Sequence, residues 1–170
     1  MMNVLVTDVD GVLNSHQSYF RTYRLKLDDL SKYHNELQMR LASDICPIAM
    51  SNLLFITEKV PDLRIVLSSN WRNDYPLDTL RAFFFELGLP MDKIIDKTPT
   101  LKSCTRSQEI QAWLDASYGL VAQYVVLDDS FIDSSLNFIQ TDPRTGLTYF
   151  EAIEVIQHFD AEFEPPFLTL

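Results

Sequence analysis

The chain of 170 residues has the length of one domain, and its 46% hydrophobic and 22% charged residues describe an ordinary globular protein able to bury a core. A formal net charge of −10 and a pI near 4.6 argue against a broad basic surface for nucleic acid, whose phosphates require clustered Lys and Arg. No apolar run approaches the length that spans a bilayer, so no membrane partner is expected.

The first element is the apolar, β-branched run Val4-Leu5-Val6, read as a buried strand, and Asp8, Asp10 and Gly11 follow it directly. Nothing resembling a basic and apolar leader precedes it, which leads us to expect a cytoplasmic location. Two carboxylates held together at a strand mouth raise each other's pKa and lose hydration. A divalent cation removes that conflict, and Mg²⁺ prefers such oxygen ligands. The alternation of a strand puts Asp8 and Asp10 on one side, where one can attack a phosphorus while the other handles protons. The plainer reading is a turn or a helix cap. Asp8-Val9-Asp10-Gly11-Val12-Leu13 resembles the first motif of the haloacid dehalogenase (HAD) superfamily. That resemblance implies a nucleophilic Asp8, an acid/base Asp10 and Mg²⁺ between them.

In the HAD fold a flap follows the first strand, and cap elements are inserted there. Residues from about 14 to 46 look like that flap with a small insertion, too short for a separate cap domain. His16, Arg21 and Arg24 lie in it and are candidates to face a substrate, or else are solvated loop charges. Cys46 and Cys104 have no paired spacing, so neither a disulfide framework nor a zinc site is expected, and both are read as free thiols.

Helical spacing of apolar residues from Ile45 to Val60 ends at Pro61. Leu63 to Leu67 is a second buried strand, and it delivers Ser68-Ser69-Asn70-Trp71-Arg72. A strand-end hydroxyl can hydrogen-bond a phosphoryl oxygen, matching the second HAD motif. Related phosphatases read Thr/Ser-x-Trp-Arg here, which selects Ser69, while counting from the strand end allows Ser68. Asn70 and Arg72 are taken as substrate-binding, since Arg clamps phosphate bidentately, and Trp71 either stacks on substrate or packs in the core.

Leu77 to Leu87 predicts a helix stopped by Gly88 and Pro90, and a short strand is expected around Lys93 to Asp96. A loop then leads to an amphipathic helix from Glu109. The third HAD motif is a cation near that helix start, and a fixed positive group there offsets the negative charge gathered during attack. Arg106 fits it, with Lys102 as the alternative or as a substrate-binding charge.

Gln123 to Leu127 is a further strand, again ending in paired acids, Asp128 and Asp129. Two buried strands ending in aspartates suggest a cation that collects them, although Asp129 alone would serve as a helix cap. By resemblance to the fourth HAD motif, Asp8, Asp10, Asp128 and Asp129 form the Mg²⁺ site, with Asp133 a weaker candidate. Leu136 to Gln140 reads as a strand, a turn-rich loop through Gly146 follows, and Tyr149 to Phe159 as the last helix.

Alternating strands and helices predict an α/β fold with a parallel sheet and a site at the strands' C-terminal ends. The resemblance implies one Rossmann-like, three-layer α/β/α HAD domain over residues 1–170. It further implies a Mg²⁺-dependent phosphatase acting through an aspartyl-phosphate, with Asp8, Asp10, Ser69 and Arg106 catalytic. The expected substrate is a phosphorylated small molecule or nucleotide. A polynucleotide end is the alternative, suggested by similar domains in RNA-repair proteins and opposed by the acidic charge. A HAD-fold binding module without activity is a second alternative. A response-regulator-like receiver ranks below it, since its acceptor Asp ends a middle strand of the sequence, whereas Asp8 ends the first.

Overall fold

The computed structural model of the protein describes residues 1–18, 45–160 and 162–165. Most of the expected flap, with Arg21 and Arg24, lies outside the described residues. Strand β1 (Met2–Thr7) leads toward helix α1 (Pro47–Lys59), which opens with a proline where no N–H is needed. Then come β2 (Leu63–Leu67), a single helical turn α2 (Trp71–Asp74), α3 (Leu77–Glu86) and β3 (Ile94–Lys97). Helix α4 (Arg106–Ala116), β4 (Val121–Asp128), β5 (Phe138–Gln140) and α5 (Tyr149–Phe159) complete the order.

The strands form one parallel sheet in the order β3-β2-β1-β4-β5. This is the expected α/β architecture, with the central strand coming first in sequence. Strand alternation sends the side chains of the sheet into two separate cores. Leu5, Ile65, Leu67, Val125 and Leu127 face a large core with Leu53 and Ile56 of α1, Phe83 and Phe84 of α3, and Val155 and Ile156 of α5. Val4, Val6, Val66 and Val126 face a smaller one with Ile110 and Trp113 of α4. The chain travels outward from β1 to β3 and then returns across β1 to reach β4. Right-handed connections demand that such a reversal place the returning helix on the opposite face, where α4 packs. The reversal opens a crevice at the C-terminal ends of β1 and β4.

Several boundaries differ from the periodicity. Helix α4 begins at Arg106 rather than Glu109, because Thr105 and Gln108 cap it reciprocally. Strand β5 spans only Phe138–Gln140, and β4 extends through Asp128. The turn α2 carried no periodic signal at all.

Candidate active site

Asp8 stands one residue beyond β1, and its N–H still donates to Leu127 O across the sheet at 2.9 Å. The side chain is buried at 3% exposure. Its Oδ1 accepts from Val9 N at 2.6 Å, and its Oδ2 accepts from Arg106 Nη1. Asp128, the last residue of β4, is fully buried and accepts from Ser130 N at 2.9 Å and from Arg106 Nη1 at 2.7 Å. One guanidinium at the first turn of α4 therefore bridges carboxylates from two neighbouring strands. Lys102, by contrast, is exposed and does not line the cleft.

Burial pushes the Asp128 carboxyl up to about 6, against the hydrogen bond and charge of Arg106 that work to lower it. Asp8 is raised as well, chiefly by burial, with Arg106, Val9 N–H and the Ser69 hydroxyl opposing. Burial also acts to lower the pKa of Arg106, but the two carboxylates outweigh it and hold the guanidinium charged. The carboxylates win less from the pairing than Arg106 does because two of them share one cation while both lie out of water.

Asp129 joins Asp8 and Asp128, each offering an oxygen within 4.8 Å of the others. Gly11 makes that approach feasible. Its φ is +76°, and a Cβ on it would fall 2.4 Å from Asp129 Cγ. Three hard oxygen donors with more negative charge than one arginine can offset fit a divalent cation such as Mg²⁺. Asp10 stands apart from this group. Its Oδ1 accepts from Asn14 Nδ2 at 2.7 Å and from Trp71 Nε1 at 3.2 Å, so three of the four expected carboxylate ligands are drawn together and Asp10 lines the cleft beside them.

The end of β2 distinguishes its two serines. The Ser69 hydroxyl works to lower the Asp8 pKa, and its Oγ accepts from Trp71 N at 3.3 Å. Ser68 Oγ instead lies 3.2 Å from Thr98 Oγ1. Asn70 lines the cleft, but Arg72 does not. At 7% exposure, Arg72 donates to Ser68 O at 2.8 Å and Ser69 O at 3.1 Å, and it pairs with Glu109, itself 6% exposed. Glu109 also accepts from Leu101 N at 2.8 Å. The expected substrate clamp is thus an internal strut between the serine loop and the helix that carries Arg106. The bidentate affinity of Arg for phosphate suggests the clamp; the partner that captures Arg72 lies 37 residues away, and no local pattern reports such a pairing.

The cleft, about 520 Å³, is lined by Asp8, Asp10, Asn70, Arg106 and Asp129, and by His16 from the start of the expected flap. Asp133 lies outside it, its N–H bonded to Ser107 Oγ at 3.0 Å. Asn14 and Glu109 are the residues that the sequence left unmarked. The spacing of Asn14, four after Asp10, was the available signal for the first; for Glu109 there was none.

Solved structures with this fold include the HAD domain of effector protein Lem4 from Legionella pneumophila, 14% identical, with a TM-score of 0.55 over 96% of this chain and 98% of that one. A protein from Porphyromonas gingivalis described as a predicted HAD-like family hydrolase is 15% identical, with a TM-score of 0.50 over 96% of this chain and all of that one. No curated protein matches the chain. A family model described as the HAD domain in Swiss Army Knife RNA repair proteins matches residues 4–152, which takes in every strand-end acid, Ser69 and Arg106. The chain therefore belongs to this family of HAD domains.

Proposed function

We propose that the protein is a Mg²⁺-dependent phosphomonoester hydrolase that works through an aspartyl-phosphate on Asp8. The observation that carries this reading is the single constellation of Asp8, Ser69, Arg106 and the Asp128–Asp129 pair at adjoining strand ends. Asp8, Asp128 and Asp129 would hold Mg²⁺, which when bound supplies positive charge against the phosphate and the carboxylates. Asp8 attacks phosphorus and forms an acyl phosphate, while the bond to the leaving oxygen breaks. Asp10 gives that oxygen a proton and then takes one from the water that cleaves the acyl phosphate, so the proton account closes over the cycle. Ser69 and Arg106 hold phosphoryl oxygens, and Arg106 offsets charge that grows during attack.

The family description favours a second reading of the substrate, an RNA or other polynucleotide end. The net charge of −10 restricts it to a terminal phosphate rather than an extended duplex track.

Phosphate release from an aryl phosphate, with Mg²⁺ and with chelator, tests the hydrolase. Turnover that needs Mg²⁺ and falls to background in Asp8→Asn is the expected result. A Mg²⁺-loaded protein inert toward aryl phosphates, nucleotides and phosphorylated RNA ends alike would leave a binding module in its place.

A further inference from the structure

Trp71 was expected to stack on substrate or to pack in the core. It packs, at 8% exposure, with its ring 6.1 Å from Phe83 and 6.2 Å from Tyr75 between centroids. Packing alone would be satisfied by any large apolar ring, yet the indole N–H is directed at Asp10 Oδ1, 61 residues away in sequence. Asp10 itself is exposed at the cleft rim, where a carboxylate has several rotamers available. Asn14 supplies the second donor to the same oxygen. Its amide orientation is fixed, because Asn14 Oδ1 accepts from Gly11 N at 2.9 Å and so presents Nδ2 to Asp10. Both donors are neutral and held by backbone or core contacts. Oδ1 is occupied twice, and Oδ2 receives no hydrogen bond from the described residues on the cleft side.

We infer that Trp71, with Asn14, is a positioning residue for Asp10: the pair holds one carboxylate oxygen so that the other is presented to the leaving group. This rests on the hydrolase reading above, in which Asp10 transfers the proton. Proton transfer demands heavy-atom approach of about 2.6–3.2 Å, which a freely rotating exposed side chain reaches only part of the time. The backbone N–H of the same Trp71 reaches Ser69 Oγ, so one residue sets the phosphoryl-binding hydroxyl and the proton donor relative to each other.

The test uses the leaving group. A nitrophenolate departs with little help from an acid, whereas an alkoxide departs only with a proton. Trp71→Phe keeps the ring and removes the N–H. It is expected to lower kcat/KM for glycerol phosphate about tenfold more than for nitrophenyl phosphate, and Asn14→Ala is expected to do the same. Equal losses for both substrates, or none, would mean that Trp71 only packs and would overturn the inference. A readout independent of turnover is the indole N–H resonance, since the chain has only two tryptophans. Asp10→Ala should shift the Trp71 signal and leave that of Trp113, which bonds Asp96 at 2.8 Å, in place. An unmoved Trp71 signal would refute the positioning contact. A shifted Trp71 signal in Asp10→Ala, with a wild type inert toward both esters and toward nucleotides and phosphorylated RNA ends, would support the contact and refute the hydrolase.

Discussion

Asp128 is the residue at which burial and charge conflict most. Its carboxyl titrates near 6 in the folded protein against an ordinary 3.8. A folded pKa raised in this way means that the contribution to stability is complete below about pH 4 and is lost as pH rises through 6. Asp128→Asn retains the shape without the ionisation, while Arg106 keeps Asp8 as its partner. The metal-free variant should therefore melt roughly 5 °C above metal-free wild type at pH 8, with the difference vanishing near pH 4, by calorimetry. Added Mg²⁺ should reverse the order, since only the wild type keeps all three carboxylates. The pairing of Asp8 with Asp128 was legible in the sequence because both end apolar strands. The exclusion of the Asp10 carboxylate from their cluster was not, because it depends on an indole from another strand's end.

The helical turn α2, just beyond β2, and helix α4 are joined by the Arg72–Glu109 pair, which ties two motif-bearing segments that share no backbone ladder. Removing one member of a buried ion pair leaves an uncompensated charge and costs about 3–5 kcal/mol. Arg72→Ala and Glu109→Ala should each lower the urea midpoint correspondingly, and the double variant should lose much less than the sum. A substrate clamp would instead give a raised KM at unchanged stability in Arg72→Ala. At this scale the elements were readable because their periods are 2 and 3.6 and because glycine and proline separate them. The start of α4 was set by a capping box at Thr105 rather than by apolar spacing, and α2 is too short to show a period. Those are the places where reading by periodicity falls short.

The molecule as a whole carries a net charge of −10, and among the described residues its candidate cleft sets Asp8, Asp10 and Asp129 against Arg106. For a polynucleotide-end substrate the long-range field is repulsive, so added salt screens a penalty rather than an attraction. The expected outcome is that KM for a phosphorylated oligonucleotide falls between about 50 and 200 mM monovalent salt, opposite to the loss that counterion release imposes on basic binders. A KM that rises steeply with salt would place a basic surface in contact with the strand. The three layers followed from alternation of strands and helices, and the order of the motifs pointed to the family that the match over residues 4–152 establishes.

The central place of β1 in the sheet has a temporal meaning. Its two neighbours, β2 and β4, are made at very different moments, and Thr7 and Val121 are 114 residues apart. At the usual pace of translation the ribosome needs roughly ten seconds to bridge that gap. During that interval β1 can zip to β2 but offers its other edge bare to any passing strand, and Asp8 waits without Asp128. The cluster of Asp8, Asp128 and Asp129 is therefore completed late in synthesis, when the fourth strand closes the open edge.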